Sequence, residues 1–139
     1  MSGSQKASSR RRRGQATVEF ALTIPVVLLL ILGLVDLGRL MWAYESLAHA
    51  VREGTRYAIV HGSASSHPAD QVAIRNVVVQ MAPPLEPDGI TVLVTWNPSN
   101  APGSQVTVEG RYTFHPATVF FAQGISIDIL SRSTMTIAH

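Results

Sequence analysis

Residues Arg10 to Asp36 read RRRRGQATVEFALTIPVVLLLILGLVD and combine a basic cluster with a long apolar run. Four consecutive arginines precede Gly14, a single carboxylate, Glu19, follows five residues later, and an uncharged apolar run then extends from Phe20 to Val35. A basic cluster beside an apolar segment favours a cytoplasmic location for that end of the chain while the segment enters a membrane. We therefore assign Arg10, Arg11, Arg12 and Arg13 to the topology of a cytoplasmic leader.

The apolar run is slightly short for a membrane-spanning helix, which needs about 20 residues. The uncharged residues on either side extend it, and we expect residues 15–42 to form the transmembrane part of one long helix. A secretory signal peptide is the main alternative. It would require a small-residue cleavage site after the run, and Gly33-Leu34-Val35 followed by Asp36 is a poor one. We expect the segment to remain in the mature protein.

Composition excludes several functional classes. The 139 residues suffice for one small domain with accessory segments, and residues 2–9 are small and polar, which predicts a disordered tail. The formal charge is +2, but residues 15–139 carry six Lys/Arg against nine Asp/Glu, so the basic character belongs to the leader and no nucleic-acid partner is expected. The absence of cysteine excludes disulfides, thiol nucleophiles and thiolate metal sites.

Glu19 is unusual because a carboxylate at the centre of a membrane span costs about 2.5–3.5 kcal/mol, and less near an end. It could lie at headgroup depth and be solvated there. Alternatively, cleavage after Gly14 would create an ammonium group on Gln15, four residues away on the same helical face. That ammonium could pair with Glu19 within one subunit or between neighbours. Glycine suits such a cleavage site because it leaves the backbone sterically open.

The sequence from Gly14 to Ala58 resembles type IV pilins and, more closely, the TadE-like proteins of tight-adherence (Tad) pilus systems. The resemblance rests on a G-x-x-x-x-E start, on Pro25 inside the apolar half, and on a REGxRYA-like end. That end is formed here by Arg52, Glu53, Gly54, Arg56, Tyr57 and Ala58. The resemblance implies cleavage between Gly14 and Gln15 by a membrane-embedded prepilin peptidase, and a role in priming or assembling a pilus for adhesion. It also implies contacts with other pilins or pseudopilins and with the pilus assembly platform.

Beyond Asp36 the apolar residues follow helical spacing on one face, which predicts an amphipathic continuation to about Val60. Pro25 removes one helical hydrogen bond and predicts a kink. Trp42 and Tyr44 fit an aromatic belt at the outer membrane interface, or ordinary packing. On the polar face, Arg52, Glu53 and Arg56 are either solvated or form a subunit contact, because Glu53 and Arg56 are neighbours at i, i+3.

The C-terminal half predicts one short helix and three strands. The helix is expected from Pro68 to Met81, with Asp70 in its first turn. Alternating apolar residues predict an antiparallel sheet packed over the amphipathic helix. The three strands are expected at Ile90 to Trp96, Val106 to Phe114 and Ile125 to Ile137. Leu93 and Leu130 interrupt the polar face, which predicts that part of the outer face is covered. Phe120 and Phe121 cap the sheet edge or contact another subunit.

Together these patterns predict an α+β fold in which a long helix packs against a three-stranded antiparallel sheet with one extra helix, and the resemblance implies that this fold is pilin-like. The segments are a cleaved leader (1–14), a transmembrane part (15–42) and an extracytoplasmic domain (43–139). No metal-ligand spacing and no catalytic grouping is visible, so we expect no enzyme, cofactor, metal or small-molecule substrate. The expected location is the cytoplasmic membrane, single-pass with the C-terminus outside and membrane lipid as a partner, or a pilus outside the cell. The alternative is an unprocessed signal-anchor protein whose outer domain binds a protein partner.

Overall fold

The computed structural model describes residues 5–117 and 124–138, with side chains from residue 15 onward. Two helices precede a three-stranded sheet, which confirms the α+β class expected from the sequence. A single 3₁₀ turn, Pro87–Gly89, leads into the first strand. The elements are helix α1, Gln5–Val60; helix α2, Gln71–Gln80; and strands β1, Ile90–Asn97, β2, Gln105–Phe114, and β3, Ile127–Thr136.

The sheet is antiparallel with the order β1-β2-β3, so β2 is central and the other two strands are edges. Val94 lies opposite Val108 in the first pair, and Glu109 lies opposite Arg132 in the second. Because successive side chains point to opposite faces, the apolar residues of β1 and β2 share one face. That face is buried, with Val92, Val94, Val106 and Val108 at most 6% exposed.

The core is formed between this face of the sheet and the outer half of α1. The helix contributes the apolar stripe that its periodicity predicts, and α2 adds Ile74 and Val78 from the side. Beyond Asp36, the buried α1 residues are Ala43, Leu47, Ala50, Val51, Gly54, Thr55 and Ala58. The sequence therefore placed the packing face of the helix correctly.

The strands run along the axis of α1 rather than across it. Arg39 lies over the ring of Phe114 at the end of β2, with 5.3 Å between the guanidinium carbon and the ring centroid. At the other end, the amide of Ala138 donates a 3.0 Å hydrogen bond to the carbonyl of Ile59. Strand β3 therefore runs in the same direction as α1, and β2 runs in the opposite direction.

Two glycines allow the helix to approach its neighbours closely. A Cβ atom on Gly110 of β2 would lie 2.6 Å from Cγ2 of Val51, and one on Gly54 of α1 would lie 2.5 Å from Cγ2 of Val78. Both distances are well inside van der Waals contact, so any side chain here would force the elements apart. Gly54 is the glycine of the REGxRYA-like motif, and its structural role is to pack α1 against α2.

Three expectations from the sequence are wrong in detail. Helix α2 starts at Gln71 rather than Pro68, because the Asp70 side chain is an N-cap that accepts a 2.7 Å hydrogen bond from the amide of Ala73. Residues 5–9 are helical rather than disordered, since α1 continues into the leader. Strand β3 also begins two residues later than the apolar alternation suggested.

The outer face of the sheet differs from expectation as well. Leu93 is 54% exposed and Leu130 is 48% exposed, so nothing in the described part of the chain covers them. Within the described residues, the expected cover over these two leucines of the outer face is therefore not present. An isolated apolar side chain such as Leu93 is common on a polar surface and needs no partner.

The close approach at Gly54 generates a stability prediction. We expect Gly54→Ala to lower the free energy of unfolding by about 1–3 kcal/mol, because the new methyl group collides with the β-branched side chain of Val78. Gly38→Ala is the matched control, since this helical glycine has no atom within 4 Å of an added Cβ and alanine favours a helix by about 0.5–1 kcal/mol. Chemical denaturation of the detergent-solubilised chain measures both, and equal stabilities of the two variants would contradict the packing role.

Candidate functional site

The N-terminal candidates lie on the exposed part of α1. Gln15 and Glu19 are solvent-exposed on consecutive turns, and Pro25 lies inside the helix. The hydroxyl of Thr23 donates a 2.8 Å hydrogen bond to the backbone carbonyl of Glu19. From residue 15 to residue 35 every side chain is exposed except the half-buried Leu32. This segment thus presents apolar side chains on all sides, as a helix in lipid does.

By length and composition, α1 contains the one candidate membrane span found in the described residues, and none of its most apolar window is buried within the domain. A core helix of a soluble protein would bury that surface. The long apolar N-terminal helix is compatible with a single-pass membrane protein.

The candidate cleavage bond lies within helical backbone. Helix α1 runs without interruption from Gln5 through Gly14 and Gln15. A protease binds its substrate in an extended conformation, so cleavage would require local unwinding of this turn. Among residues 15–117 and 124–138, no cation forms an ion pair with Glu19 in the uncut chain.

The motif residues Arg52, Glu53 and Arg56 lie on the face of α1 that points away from the sheet. Both arginines are exposed and Glu53 is half-buried. The i, i+3 ion pair between Glu53 and Arg56 does not form in the structure. Within the motif, Gly54 therefore packs in the core, and the three charged residues lie on the surface of the domain. Phe120 and Phe121 lie outside the described residues.

Asp36 forms a junction that sequence analysis missed. Its carboxylate is 7% exposed and accepts hydrogen bonds from the Arg39 guanidinium at 3.0 Å and from the backbone amide of Ala117 at 2.8 Å. Ala117 follows the end of β2, so Asp36 ties the sheet to α1 one residue after the apolar run ends. The Asp36–Arg39 spacing of i, i+3 was visible in the sequence, whereas the bond to Ala117 was not.

A second buried carboxylate lies at the centre of the outer face of the sheet. Glu109 is 6% exposed and bonds two arginines, Arg132 at 2.6 Å through Nη2 and Arg111 at 2.8 Å through Nη2. Each arginine also donates through Nε, at 3.1 Å and 2.9 Å respectively. Hydrogen bonds from Arg132, then from Arg111, hold the pKa of Glu109 below its ordinary value of 4.5, against the opposing effect of burial.

The surface of the domain also contains clefts. A cleft of about 260 Å³ near the start of the domain is lined by Arg39, Trp42, Leu85, Tyr112, His115 and neighbouring residues. Within the described ranges, no group of three or more His, Asp or Glu side chains lies close enough to hold a metal ion. The charged groups that are brought together, around Asp36 and Glu109, join structural elements to each other.

Comparison with known proteins finds a similarity that is confined to helix α1. The family model for TadE-like proteins matches residues 14–56. That segment is TadE-like. The match confirms the resemblance inferred from the motifs, and it covers most of α1, which is less than half of the chain. It begins at Gly14 and ends at Arg56, so the leader, α2 and the sheet lie outside it. No curated protein and no solved structure matches the chain.

The Glu109 cluster generates a prediction about pH. The pKa of Glu109 is lowered in the folded state, so the Glu109 carboxylate binds a proton at a higher pH in the unfolded chain than in the folded one. The stability that the cluster contributes is therefore fully present above pH 4.5. It is lost as the pH falls from 4.5 through the lowered folded-state pKa. We expect Glu109→Gln to lower the free energy of unfolding at neutral pH and to remove this part of the acid dependence.

Denaturation curves between neutral pH and pH 3 measure the effect. Glu86→Gln is the control, because Glu86 is exposed and has no ion pair in the described structure. It should retain the acid dependence. Identical acid dependence in Glu109→Gln and the unmodified chain would contradict the role of this carboxylate.

Proposed function

We propose that the chain is a pseudopilin-like component of a Tad pilus system that a prepilin peptidase cleaves after Gly14. In this proposal the protein is anchored in the cytoplasmic membrane by the first half of α1, with its N-terminus inside and its domain outside. It then acts in assembling or priming the pilus for adhesion, as an assembly protein rather than an enzyme. The observation that carries the proposal is the TadE-like match over residues 14–56, which implies a component associated with the Tad pilus.

The start of the match supports cleavage at this bond. The matched segment begins at Gly14, and the four arginines lie before it. A leader that is removed has no role in the assembled subunit, whereas the residues after the cut do. The arginines fit a temporary task, because a basic cluster holds its end of a membrane segment in the cytoplasm.

Cleavage would change the electrostatics of the first turns of α1. The new ammonium group of Gln15 would be one helical turn from the exposed carboxylate of Glu19. A carboxylate in a membrane span is unfavourable by up to about 3.5 kcal/mol, so a nearby cation stabilises it most where water is scarce. Pairing Glu19 with the amine of a neighbouring subunit would make assembly of the apolar helices directional and would fix their stagger.

The exposed apolar surface of α1 supports the same proposal. From Ala16 to Val35 the helix is about 30 Å long, which equals the thickness of the hydrocarbon core of a bilayer. In a membrane this surface contacts lipid, and in a filament it would contact the equivalent helices of other subunits. The domain would then present Arg52, Glu53 and Arg56 on the outside of α1, with Phe120 and Phe121 as further candidate contacts between subunits.

A second candidate function is an unprocessed signal-anchor protein whose outer domain binds a protein partner. The continuity of α1 favours it, because the helix passes through the Gly14–Gln15 bond without a break. In this case the leader would remain in the mature protein, and Glu19 would be solvated at headgroup depth.

The position of the mature N-terminus distinguishes the two candidates. We expect the protein extracted from membranes of cells that have a prepilin peptidase to begin at Gln15, as measured by intact mass and N-terminal sequencing. Gly14→Leu should abolish cleavage because the side chain obstructs the scissile bond, while Gly38→Leu should be cleaved normally. An intact leader on the unmodified chain in such cells would exclude the pseudopilin proposal.

Glu19 can be tested separately from cleavage. We expect Glu19→Ala to be cleaved after Gly14 but to reduce pilus assembly strongly, because the new amine loses its carboxylate partner. Glu45→Ala is the matched control, since Glu45 is exposed on the outer half of the same helix. Piliation counted by electron microscopy gives the result. Normal pili with Glu19→Ala would refute the assembly role of this carboxylate.

A further inference from the structure

An apolar surface surrounds the end of the domain that faces the apolar half of α1. It combines exposed side chains of α1 with exposed side chains where β3 begins, and we call it the collar. The collar consists of Leu37, Met41, Tyr44, Ile125, Ile127 and Leu130. We propose that the collar lies in the outer lipid interface, so that one end of the sheet contacts membrane lipid directly. This inference rests on the membrane anchoring in the proposed function and goes beyond it.

The collar side chains are between 38% and 55% exposed, and four of them, Met41, Tyr44, Ile127 and Leu130, line one groove. A groove of about 380 Å³ runs between α1 and the first half of β3. Its lining includes Leu40, Met41 and Tyr44 on the helix and Ile127, Ile129 and Leu130 on the strand. Asp128 is the one charged residue of the lining, and its carboxylate accepts a hydrogen bond from the hydroxyl of Thr113. A largely apolar groove on a single chain indicates a surface that is covered in the functional state.

The depth of the collar follows from the geometry of α1. If the 20 residues from Ala16 to Val35 span the hydrocarbon, Val35 lies at its outer boundary. Leu37 and Met41 then lie about 3 and 9 Å beyond that boundary, at a rise of 1.5 Å per residue. The headgroup layer is roughly 5–7 Å thick on each side. On the helix side, Leu37 of the collar therefore lies within this layer. The groove begins at Leu40, about 8 Å beyond the boundary, so its near end meets the outer edge of the layer, and Ile127 lines the same groove.

The domain is held at this depth rather than carried on a free stalk. The bond from the Ala117 amide to Asp36 fixes the end of β2 at the boundary of the apolar run. Arg39 adds a second contact through the ring of Phe114 and remains half exposed. Its guanidinium thus lies at the depth of the lipid phosphates, which it complements in charge.

The direction of β3 argues against a second copy pairing on this edge. Strand β3 runs outward along α1, so two copies anchored in one membrane would have their β3 strands pointing the same way. Symmetrical antiparallel pairing of two β3 edges would require one copy to be inverted. Lipid imposes no such constraint, and the collar is continuous with the apolar surface of the span.

The absence of cysteine makes a direct test possible, because single cysteines can be labelled with an environment-sensitive fluorophore. The full chain is reconstituted in vesicles of phosphatidylethanolamine and phosphatidylglycerol, and lipid-borne nitroxide is added as a quencher. Ile127→Cys reports on the collar, and Leu28→Cys reports on the span. Val72→Cys is the control, because it is 64% exposed on α2, which packs opposite Gly54 far from the span. Ile125→Cys repeats the measurement should Ile127→Cys fold poorly.

We expect lipid-borne quencher to reduce fluorescence at Ile127 and Leu28, and to leave Val72 unchanged. Quenching at Leu28 without quenching at Ile127 or Ile125 would overturn the collar inference and leave the membrane span intact. No quenching at Leu28 would overturn both the span and the inference. Shielding of Ile127 from lipid quencher and from aqueous iodide alike would also overturn it, since it would show that protein covers the groove.

Discussion

The close packing of α1 onto β2 is the contact on which the domain depends. Leu47 and Val51 fill the space that a side chain on Gly110 would occupy, and Gly54 makes the equivalent contact with α2. One helix face therefore supplies a large part of the hydrophobic core for both the sheet and the second helix. Without this interface the apolar face of the three strands would be in water, and the domain would lose the burial of apolar surface that mainly drives folding.

Helix α1 thus has two parts with different surroundings: an apolar half that lies outside the hydrophobic core of the described residues, and an outer half that packs against the sheet. Up to Val35 its side chains are exposed on all sides and apolar, and beyond Asp36 it becomes amphipathic. The change occurs at Asp36. Its buried carboxylate accepts hydrogen bonds from the guanidinium of Arg39, one turn further along the helix, and from the backbone amide of Ala117, just after β2. A buried carboxylate is tolerated when hydrogen bonds satisfy it. Here one of those hydrogen bonds attaches the sheet to α1 at Asp36.

The family match covers most of helix α1 and none of the sheet. The TadE-like segment from residue 14 to residue 56 contains the candidate cleavage site, the span, the Asp36 junction and the glycine that packs against α2. The sheet lies outside the match. Packing on a helix demands complementary volume and an apolar face rather than particular residues, so many strand sequences could satisfy it. The proposed assembly role therefore rests on α1, and the proposed lipid contact adds the beginning of β3.

The helices and strands of this protein can be predicted from its sequence, because the signals for them are local. The 3.6-residue period located the buried face of α1, and the two-residue alternation located three strands to within about two residues. The leader arginines, Glu19 and the REGxRYA-like motif were likewise visible as short patterns, and they were sufficient to indicate the family.

Tertiary structure alone decided which distant groups meet. The partners of Glu109 and Asp36 lie 23 and 81 residues away, and their pairing depends on strand register and on how the sheet packs against the helix. The exposure of Leu93 and Leu130 was decided in the same way, because a period of two specifies alternate faces without stating what covers each. Local periodicity does not specify contacts between separate elements. Such contacts form both the junction at Asp36 and the collar between α1 and β3.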